Sequence, residues 1–384
     1  MPLTYSNEQD NPTLIYGGGW NKLLAILARD DVSEIKIDAF QDGVFVINKG
    51  INVLVKEIYW GNRASFFSDF EAVVFPSMHA SGFEDSDGRP MKPHLLRYLY
   101  EGGLEYAFTD SHGARKTVHA RLHAVLPPIV DSAPAITIAK RSESLTTMES
   151  MIKNGTMNEE IADFLCRAVQ TKQTMVLSAG SGCGKTTLLR ILGQYFDPAE
   201  HLIVAEDSPE LSFLNVKDAV YMQSVPWRPG ISKNEEVTLE YVVSLMLRMR
   251  PNRIIVGESR SKEFYGFLLA SNSGVRGSMT TLHANSSREC LEKMAMLATG
   301  AAPTLDLYSL NKVISSGVDF IIQLDKDNYG HHWVEEISEV SNTVSTETNS
   351  ISTATVFKHH PNGAFENLLN KMSDVKRREL GYLK

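Results

Sequence analysis

The sequence predicts an α/β protein: a mostly parallel sheet covered by helices in the second half, with a separate α+β domain in front of it. Three observations carry this expectation. From residue 157 onward, apolar runs alternate with helical patterns, which is how parallel strands joined by helices read. Before residue 140, short apolar runs are separated by turn signals, as in an antiparallel meander. Between them a charged, turn-forming stretch interrupts both patterns. A chain of 384 residues also exceeds one ordinary core, at about 150 residues per domain.

The composition, 43% apolar and 22% charged, is that of a globular protein with enough Val, Ile, Leu and Phe to fill a core in each half. Lys and Arg number 38 against 46 Asp and Glu, a net charge of −8. That balance argues against a chain that coats nucleic acid through phosphate neutralisation, and leaves a locally basic pore open. The first eleven residues, MPLTYSNEQDN, are polar and acidic, and no eighteen apolar residues run together. Neither an export signal nor a membrane span is expected. Cys166, Cys183 and Cys290 match no zinc spacing or disulfide framework, which suits a reducing cytosol.

From Asp31 to Trp60 the runs EIKID, GVFVIN and NVLVKEIYW are separated by QDG and NKG turns, predicting the meander. Phe67, Phe70, Val73 and Val74 follow at helical spacing, and strands return as LEYAFTD and KTVHARLHAVLP around a Ser-His-Gly turn. Residues 1–140 are therefore expected to form a curved sheet with a helix or two. Residues 141–156 form the linker, with a short helical pattern from Leu145 to Ile152 and an Asn-Gly turn. Thr156 and Glu159 make a capping box for a helix whose Ile161, Phe164, Leu165 and Ala168 share one face. In 157–384, TMVLSAG, HLIVAED, AVYMQSV, RIIVGE and GSMTTLHA read as buried strands. After Gly317 come DFIIQLD, HWVEEISEV and ATVFKHH, then a basic amphipathic helix, NLLNKMSDVKRREL.

The strongest single signal is TMVLSAGSGCGKTTLLRIL, an apolar strand that enters a glycine-rich loop and then a helix. It fits the phosphate-loop pattern G-x-x-x-x-G-K-T with one departure, Ala179 in place of the first glycine. Gly180, Gly182 and Gly184 let backbone N–H groups approach phosphate oxygens without a Cβ in the way, and the helix points its positive end at them. Ala179, Gly180, Ser181, Gly182, Cys183, Gly184, Lys185, Thr186 and Thr187 thus form a candidate cradle for ATP. In such a loop Lys185 bridges the β- and γ-phosphates and Thr186 offers its hydroxyl to Mg2+. The plainer alternative, a glycine-rich turn capping a helix, is disfavoured by the strand–loop–helix setting.

A phosphate loop says nucleotide and no more. LIVAEDSPEL places Glu206, Asp207 and Glu210 where a strand leaves the sheet, the edge at which parallel sheets bind ligands; the same residues also suit an acidic loop opening a helix. MLRMRPNRIIVGESR puts Glu258 at the end of a second strand, the place of a Walker B acid that holds Mg2+ through water. GSMTTLHANS ends a third strand at His283, which alone fits a structural role equally well. In this order the four segments resemble the secretion ATPases of type II and type IV secretion, type IV pili and conjugation, over about residues 119–340. VAEDSPEL is similar to that family's Asp box, RMRPNRIIVGESR to its Walker B segment and GSMTTLHANS to its His box. HARLHAVLPP and APAITIAKR are similar to the segments entering the motor domain. Within the family the chain most resembles the DotB/TraJ-like branch of type IVB secretion and conjugation.

The resemblance implies a RecA-like ATPase domain at 157–384 behind a PAS-like N-terminal domain, with ATP bound between them and Mg2+ as second cofactor. It implies that Glu210 orients the attacking water, Glu258 holds Mg2+ through its water shell, and His283 senses the γ-phosphate. Arg121 and Arg141 are its candidates for reaching the phosphates, within a subunit or across a subunit boundary. The implied assembly is a homo-hexamer, cytoplasmic and recruited to the cytoplasmic face of the inner membrane. Its implied partners are secretion or pilus components and a coupling protein or substrate, with no specific nucleic acid. A DNA helicase or conjugative DNA motor is the rival, and would be expected to show a basic pore; a small-molecule kinase leaves the ordered acids and histidine unexplained.

Departures from the family pattern are Ala139 in place of an arginine, Val275 in place of a histidine, Asn252 in place of an acid and Ser261 in place of a glycine. Ala139 leaves its phosphate contact missing or moved to Lys140 or Arg141. Arg248, Arg250 and Arg253 read as a helix C-terminus plus a solvated turn, or else as an interface or phosphate contact. The His pairs at 331–332 and 359–360 have no partners at ligand spacing and are expected on the surface.

Overall fold

A computed structural model describes residues 20–29, 31–38, 43–48, 51–56, 58, 60, 65–68, 70, 99–109, 115–127, 129–130, 134–140, 147–225 and 236–384. The chain divides into two compact units, one running to Ser144 and the other beginning at Leu145, apart from two short segments.

In the first unit, α1 (Trp20–Ala28) precedes β1 (Val32–Ile37), β2 (Val44–Asn48), β3 (Ile51–Val55), β4 (Leu99–Thr109), β5 (Arg115–Val125) and β6 (Ala135–Lys140). The strands form one sheet in the order β3-β2-β1-β6-β5-β4, antiparallel throughout. Leu23, Ile26 and Leu27 of α1 are buried together with Ile35, Ile37, Val44, Val46, Ile136 and Ile138. Residues 65–68 and 70 are helical. There Phe70 is fully buried as its spacing predicts, and Phe66 is fully buried too, with Phe67 at the margin of the core. Val73, Val74, Arg141 and the Ser-His-Gly turn lie outside the described residues. Lys140 donates its ammonium to the Arg29 carbonyl, a partner within its own unit.

The second unit opens with α2 (Met148–Lys153) and α3 (Glu159–Gln170). The N-cap of α3 is Asn158, not Thr156: the Asn158 side chain accepts from the Ile161 N–H at 2.9 Å. Thr156 instead uses its carbonyl to accept from the Val334 N–H at 2.8 Å, tying the linker to a strand far along the chain. The predicted face of α3 is the buried one, Ile161, Phe164, Leu165 and Ala168, and Glu159 and Glu160 in its first turn complement the helix dipole.

There follow β7 (Met175–Ser178), α4 (Lys185–Gly193), β8 (His201–Glu206), β9 (Asp218–Gln223), α5 (Leu239–Met246), β10 (Arg253–Val256), α6 (Glu263–Asn272), β11 (Met279–Leu282), α7 (Ser287–Ala301), α8 (Leu307–Gly317), β12 (Phe320–Lys326), β13 (His332–Val344), β14 (Ile351–His359), β15 (Phe365–Asn367) and α9 (Asp374–Glu379). One sheet takes all nine strands, in the order β15-β14-β13-β12-β7-β11-β10-β8-β9. It is parallel from β12 to β9 and antiparallel from β12 to β15. The strands after Gly317 thus extend the parallel sheet of the second unit. β9 is its edge and only half-buried, whereas its sequence read as a buried strand. The predicted last helix breaks at Ser373, whose hydroxyl caps α9.

Successive residues of the central strands face opposite layers. Met175, Leu177, Leu202, Val204, Ile255, Phe320 and Ile322 share a core with α3 and α4. Val176, Ile203, Ala205, Ile254, Val256 and Ile321 share one with α5, α6, α7 and α8. Apolar on both faces, these strands must sit mid-layer.

Arg253 corrects the solvated-turn expectation. It opens β10 and is 1% exposed, its Nε donating to Glu200 Oε2 at 2.7 Å and its Nη1 to the Gly277 carbonyl at 2.6 Å. Its guanidinium stacks 4.3 Å from the Phe196 ring. A Cβ on Gly277 would fall 2.7 Å from Nη1, so that position has no room for a side chain. The brace pins the strand ends remote from the loops described next.

Candidate nucleotide site

Parallel strands place all their C-terminal ends on one edge of the sheet, and the sequence puts its chemistry there. Ser178 at the end of β7 lies level with Leu282 of β11 on one side and Gln323 of β12 on the other. The phosphate loop leaves β7, His283 follows β11, and Glu258 follows β10 by two residues.

The loop is built as the pattern requires. Gly182 and Gly184 hold left-handed backbone, at φ +67° and +86°, which side chains tolerate poorly. Gly184 is the N-cap of α4 and supplies no side chain to its first amides, which leaves them pointing at whatever the loop encloses. Ala179 is fully buried, its φ is not positive, and its N–H donates to the Leu282 carbonyl at 3.3 Å. A methyl is therefore accommodated where the pattern has glycine.

Lys185, at the start of α4, folds back into this loop. Its ammonium donates to the carbonyls of Ala179 (3.0 Å) and Gly180 (2.9 Å) and contacts His283 Nδ1 at 3.1 Å. Burial pushes its pKa down to about 8, against the pull of the nearby Glu258 carboxylate. An ammonium only donates, so Nδ1 accepts and the imidazole proton belongs on Nε2. Burial and the Lys185 charge lower the His283 pKa, with Glu258 opposing them.

Glu258 stands on the other side of His283. His283 Nε2 lies 3.0 Å from its Oε1, close enough for electrostatic attraction, yet Oε1 is buried without a hydrogen bond. Arg260 donates to the other oxygen at 2.7 Å. Burial works against ionisation of Glu258, but Arg260, His283 and Lys185 outweigh it and hold its pKa below the usual range. Hydroxyls stitch the two strand ends together: Ser259 to Thr280 at 2.8 Å, and Thr281 to the Gly257 carbonyl at 2.8 Å. Lys293 of α7 fastens the His283 carbonyl at 2.7 Å.

Glu210 sits in the loop after β8, held through its backbone. Its N–H donates to Glu206 Oε1 at 3.0 Å, and its carbonyl accepts from Arg190 of α4 at 3.4 Å. Glu206 also accepts from the Leu211 N–H, and Asp207 accepts from the Ser224 hydroxyl at 2.7 Å. Glu206 and Asp207 therefore shape the loop that carries Glu210. Asn252, in place of an acid, accepts from the His201 N–H at 2.8 Å. Arg121 lies mid-strand in β5, opposite Gly103 and Ala139.

Several supports were not evident in the sequence. Arg260 meets Glu258 two residues back on the same segment, Lys293 of α7 reaches back to His283 at the end of β11, and Arg190 of α4 meets the loop after β8. His332 was expected on the surface; it is half-buried, bonded to the Cys183 backbone, with Nδ1 3.2 Å from where a Gly184 Cβ would sit. His331 bonds to the Asn154 carbonyl at 2.8 Å, and His360 pairs with Glu366 at 2.9 Å.

Among the described residues no group of three His, Cys, Asp or Glu could hold a metal alone. The residues present instead fit a metal that shares its ligands with a nucleotide: Thr186 beside the loop, and the buried Glu258 oxygen that accepts no hydrogen bond. No helix among the described residues is long and apolar enough to cross a membrane.

The profile of the family described as "Type II/IV secretion system protein" matches residues 112–358. The conjugal transfer protein TrbB of Rhizobium radiobacter is 30% identical over 315 residues, covering 81% of this chain and 85% of that protein. A putative conjugal transfer protein of Mycobacterium tuberculosis is 30% identical over 218 residues, and the chain spans only 60% of its length. VirB11 of the Brucella suis type IV secretion system is 32% identical over 207 residues, 52% of this chain and 55% of that one. In fold, the DotB ATPase of Yersinia pseudotuberculosis superposes with a TM-score of 0.56 at 15% identity, over 99% of this chain and 86% of that one. With the profile covering most of its length and these motifs in place, the chain belongs to the type II/IV secretion system protein family.

Proposed function

We propose that the chain is an Mg2+-dependent ATPase, the motor subunit of a type IV secretion or conjugation machine of the DotB/TraJ-like branch. The observation that carries this is His283, which stands between Lys185 at 3.1 Å and Glu258 at 3.0 Å near the uncapped start of α4. The loop amides and Lys185 bind the phosphates. Thr186 and Glu258 are the residues that hold Mg2+, which when bound neutralises charge on the phosphate oxygens. Glu210 orients water for attack. A phosphate that takes over Lys185 removes the donor from His283 Nδ1, so His283 changes partners when nucleotide arrives and can report its presence.

At the scale of the assembly, the chain works as a homo-hexamer recruited to the cytoplasmic face of the inner membrane. There Arg121 and Arg141 approach phosphates, and secretion components, a coupling protein or substrate are the partners. The antiparallel order of the first unit's sheet supports a PAS-like N-terminal domain; 157–384 is the RecA-like motor.

Phosphate release from Mg2+-ATP tests the assignment. Lys185→Ala, Glu210→Gln and Glu258→Gln should each lower kcat by about 100-fold or more while the melting temperature stays near the parent's. Full turnover in Glu210→Gln would remove that acid from the chemistry; full turnover in Lys185→Ala would remove the site.

A further inference from the structure

A second basic side chain stands against the phosphate loop, from a segment that no phosphate-loop pattern includes. β12 runs parallel to β7 and continues three residues past Gln323, the partner of Ser178, to Lys326. It therefore passes alongside the loop that begins at Ala179. Lys326 Nζ lies 3.4 Å from the Gly182 carbonyl oxygen, and a Cβ on Gly182 would lie 3.1 Å from that nitrogen. Its partner across the β12–β13 hairpin, His332, stands in the same way against Gly184. Both left-handed glycines of the loop thus have a basic side chain of this hairpin close to where a Cβ would sit.

The side matters. Glu258 and His283 occupy the β10 and β11 flank of the loop, where the terminal phosphate and Mg2+ are expected; β12 lies on the other flank of β7. A nucleotide whose γ-phosphate is turned to Lys185 and the acids extends its remaining phosphates and nucleoside towards β12. A carbonyl at 3.4 Å is a weak partner for an ammonium, and Lys326 is exposed. Its N–H groups can turn to a phosphate oxygen at little cost.

We propose that Lys326 is a second cation of the nucleotide site, binding the phosphate chain on the nucleoside side of the γ-phosphate. This assignment rests on the ATPase proposal above and deepens it. Phosphates on that side are common to ATP and ADP and are held before, during and after bond cleavage. Lys326 therefore contributes to affinity for both nucleotides and little to the chemical step, unlike Lys185 and Glu258.

The test uses the full chain with Lys326→Gln and Lys326→Arg. Binding of Mg2+-ADP is measured by calorimetry and ATP turnover by phosphate release. Lys326→Gln is expected to weaken ADP and raise the KM for ATP by the same factor, about tenfold, with the loss carried by KM and not kcat. Lys326→Arg should recover most of it. ADP affinity unchanged in Lys326→Gln, or a loss confined to kcat, overturns the assignment. A wild-type chain that binds neither nucleotide would overturn the ATPase proposal and this assignment with it, an outcome distinct from a wild type that binds and a Gln variant that binds as well.

Discussion

Lys185 is held by carbonyls and an imidazole in a buried setting, which lowers its pKa to about 8. Phosphate oxygens favour the ammonium, so the nucleotide-bound chain keeps a proton that the free chain begins to lose above about pH 8. The sign follows: affinity for ATP is fully present below that pH and falls as pH rises through it, by up to about tenfold per unit. Titration with a fluorescent nucleotide from about pH 7 to pH 9 checks this, and a flat profile would contradict it. Arg253 shows the opposite use of a cation. Arg253→Met would leave Glu200 buried without its guanidinium, a loss of about 3–5 kcal/mol measurable by urea denaturation. The sequence made Lys185 legible because its neighbours define a local pattern. Arg253 was misplaced in a solvated turn because Arg248 and Arg250 flank it, and nothing local shows that its strand starts inside the protein.

Elements were legible where periodicity reports burial. The face of α3 was read from Ile161, Phe164, Leu165 and Ala168, yet its cap was misassigned. Thr156 and Glu159 fit a capping box, but Thr156 lies in the turn that ends α2, its N–H on the Met151 carbonyl, and Asn158, at φ −97°, is the extended residue before the helix. Asn158→Ala should therefore cost about 1 kcal/mol in thermal unfolding. β9 was taken for a buried strand because an edge strand of a parallel sheet carries the same apolar residues as its neighbours, and only its position makes it half-exposed. The glycines are the sharpest case. Gly182→Ala forces a side chain into left-handed backbone, at about 1–2 kcal/mol, and against Lys326. It should weaken nucleotide binding more than Gly180→Ala, whose Cβ would meet only Cys183 Sγ at an ordinary 3.6 Å.

Across the whole molecule, the four ordered motifs pointed to the family, whereas the extension of the parallel sheet by β13, β14 and β15 did not show in the sequence. Strand order is set by long-range pairing, and a hairpin returning to β7 after more than a hundred residues leaves no local trace. That is also why His332 was expected on the surface and Lys326 was not considered. Assembly belongs to this scale too: light scattering with a nonhydrolysable nucleotide should report a hexamer, and a strict monomer would remove Arg121 and Arg141 from action across subunits. The cradle itself is tested most directly by calorimetric titration of Mg2+ and a nonhydrolysable ATP analogue into the wild type and Lys185→Ala. Saturable binding by the wild type, weakened about 100-fold or more in the variant, is the predicted result. Equal affinity in the two would contradict the placement of the phosphates in the loop from Ala179 to Thr186.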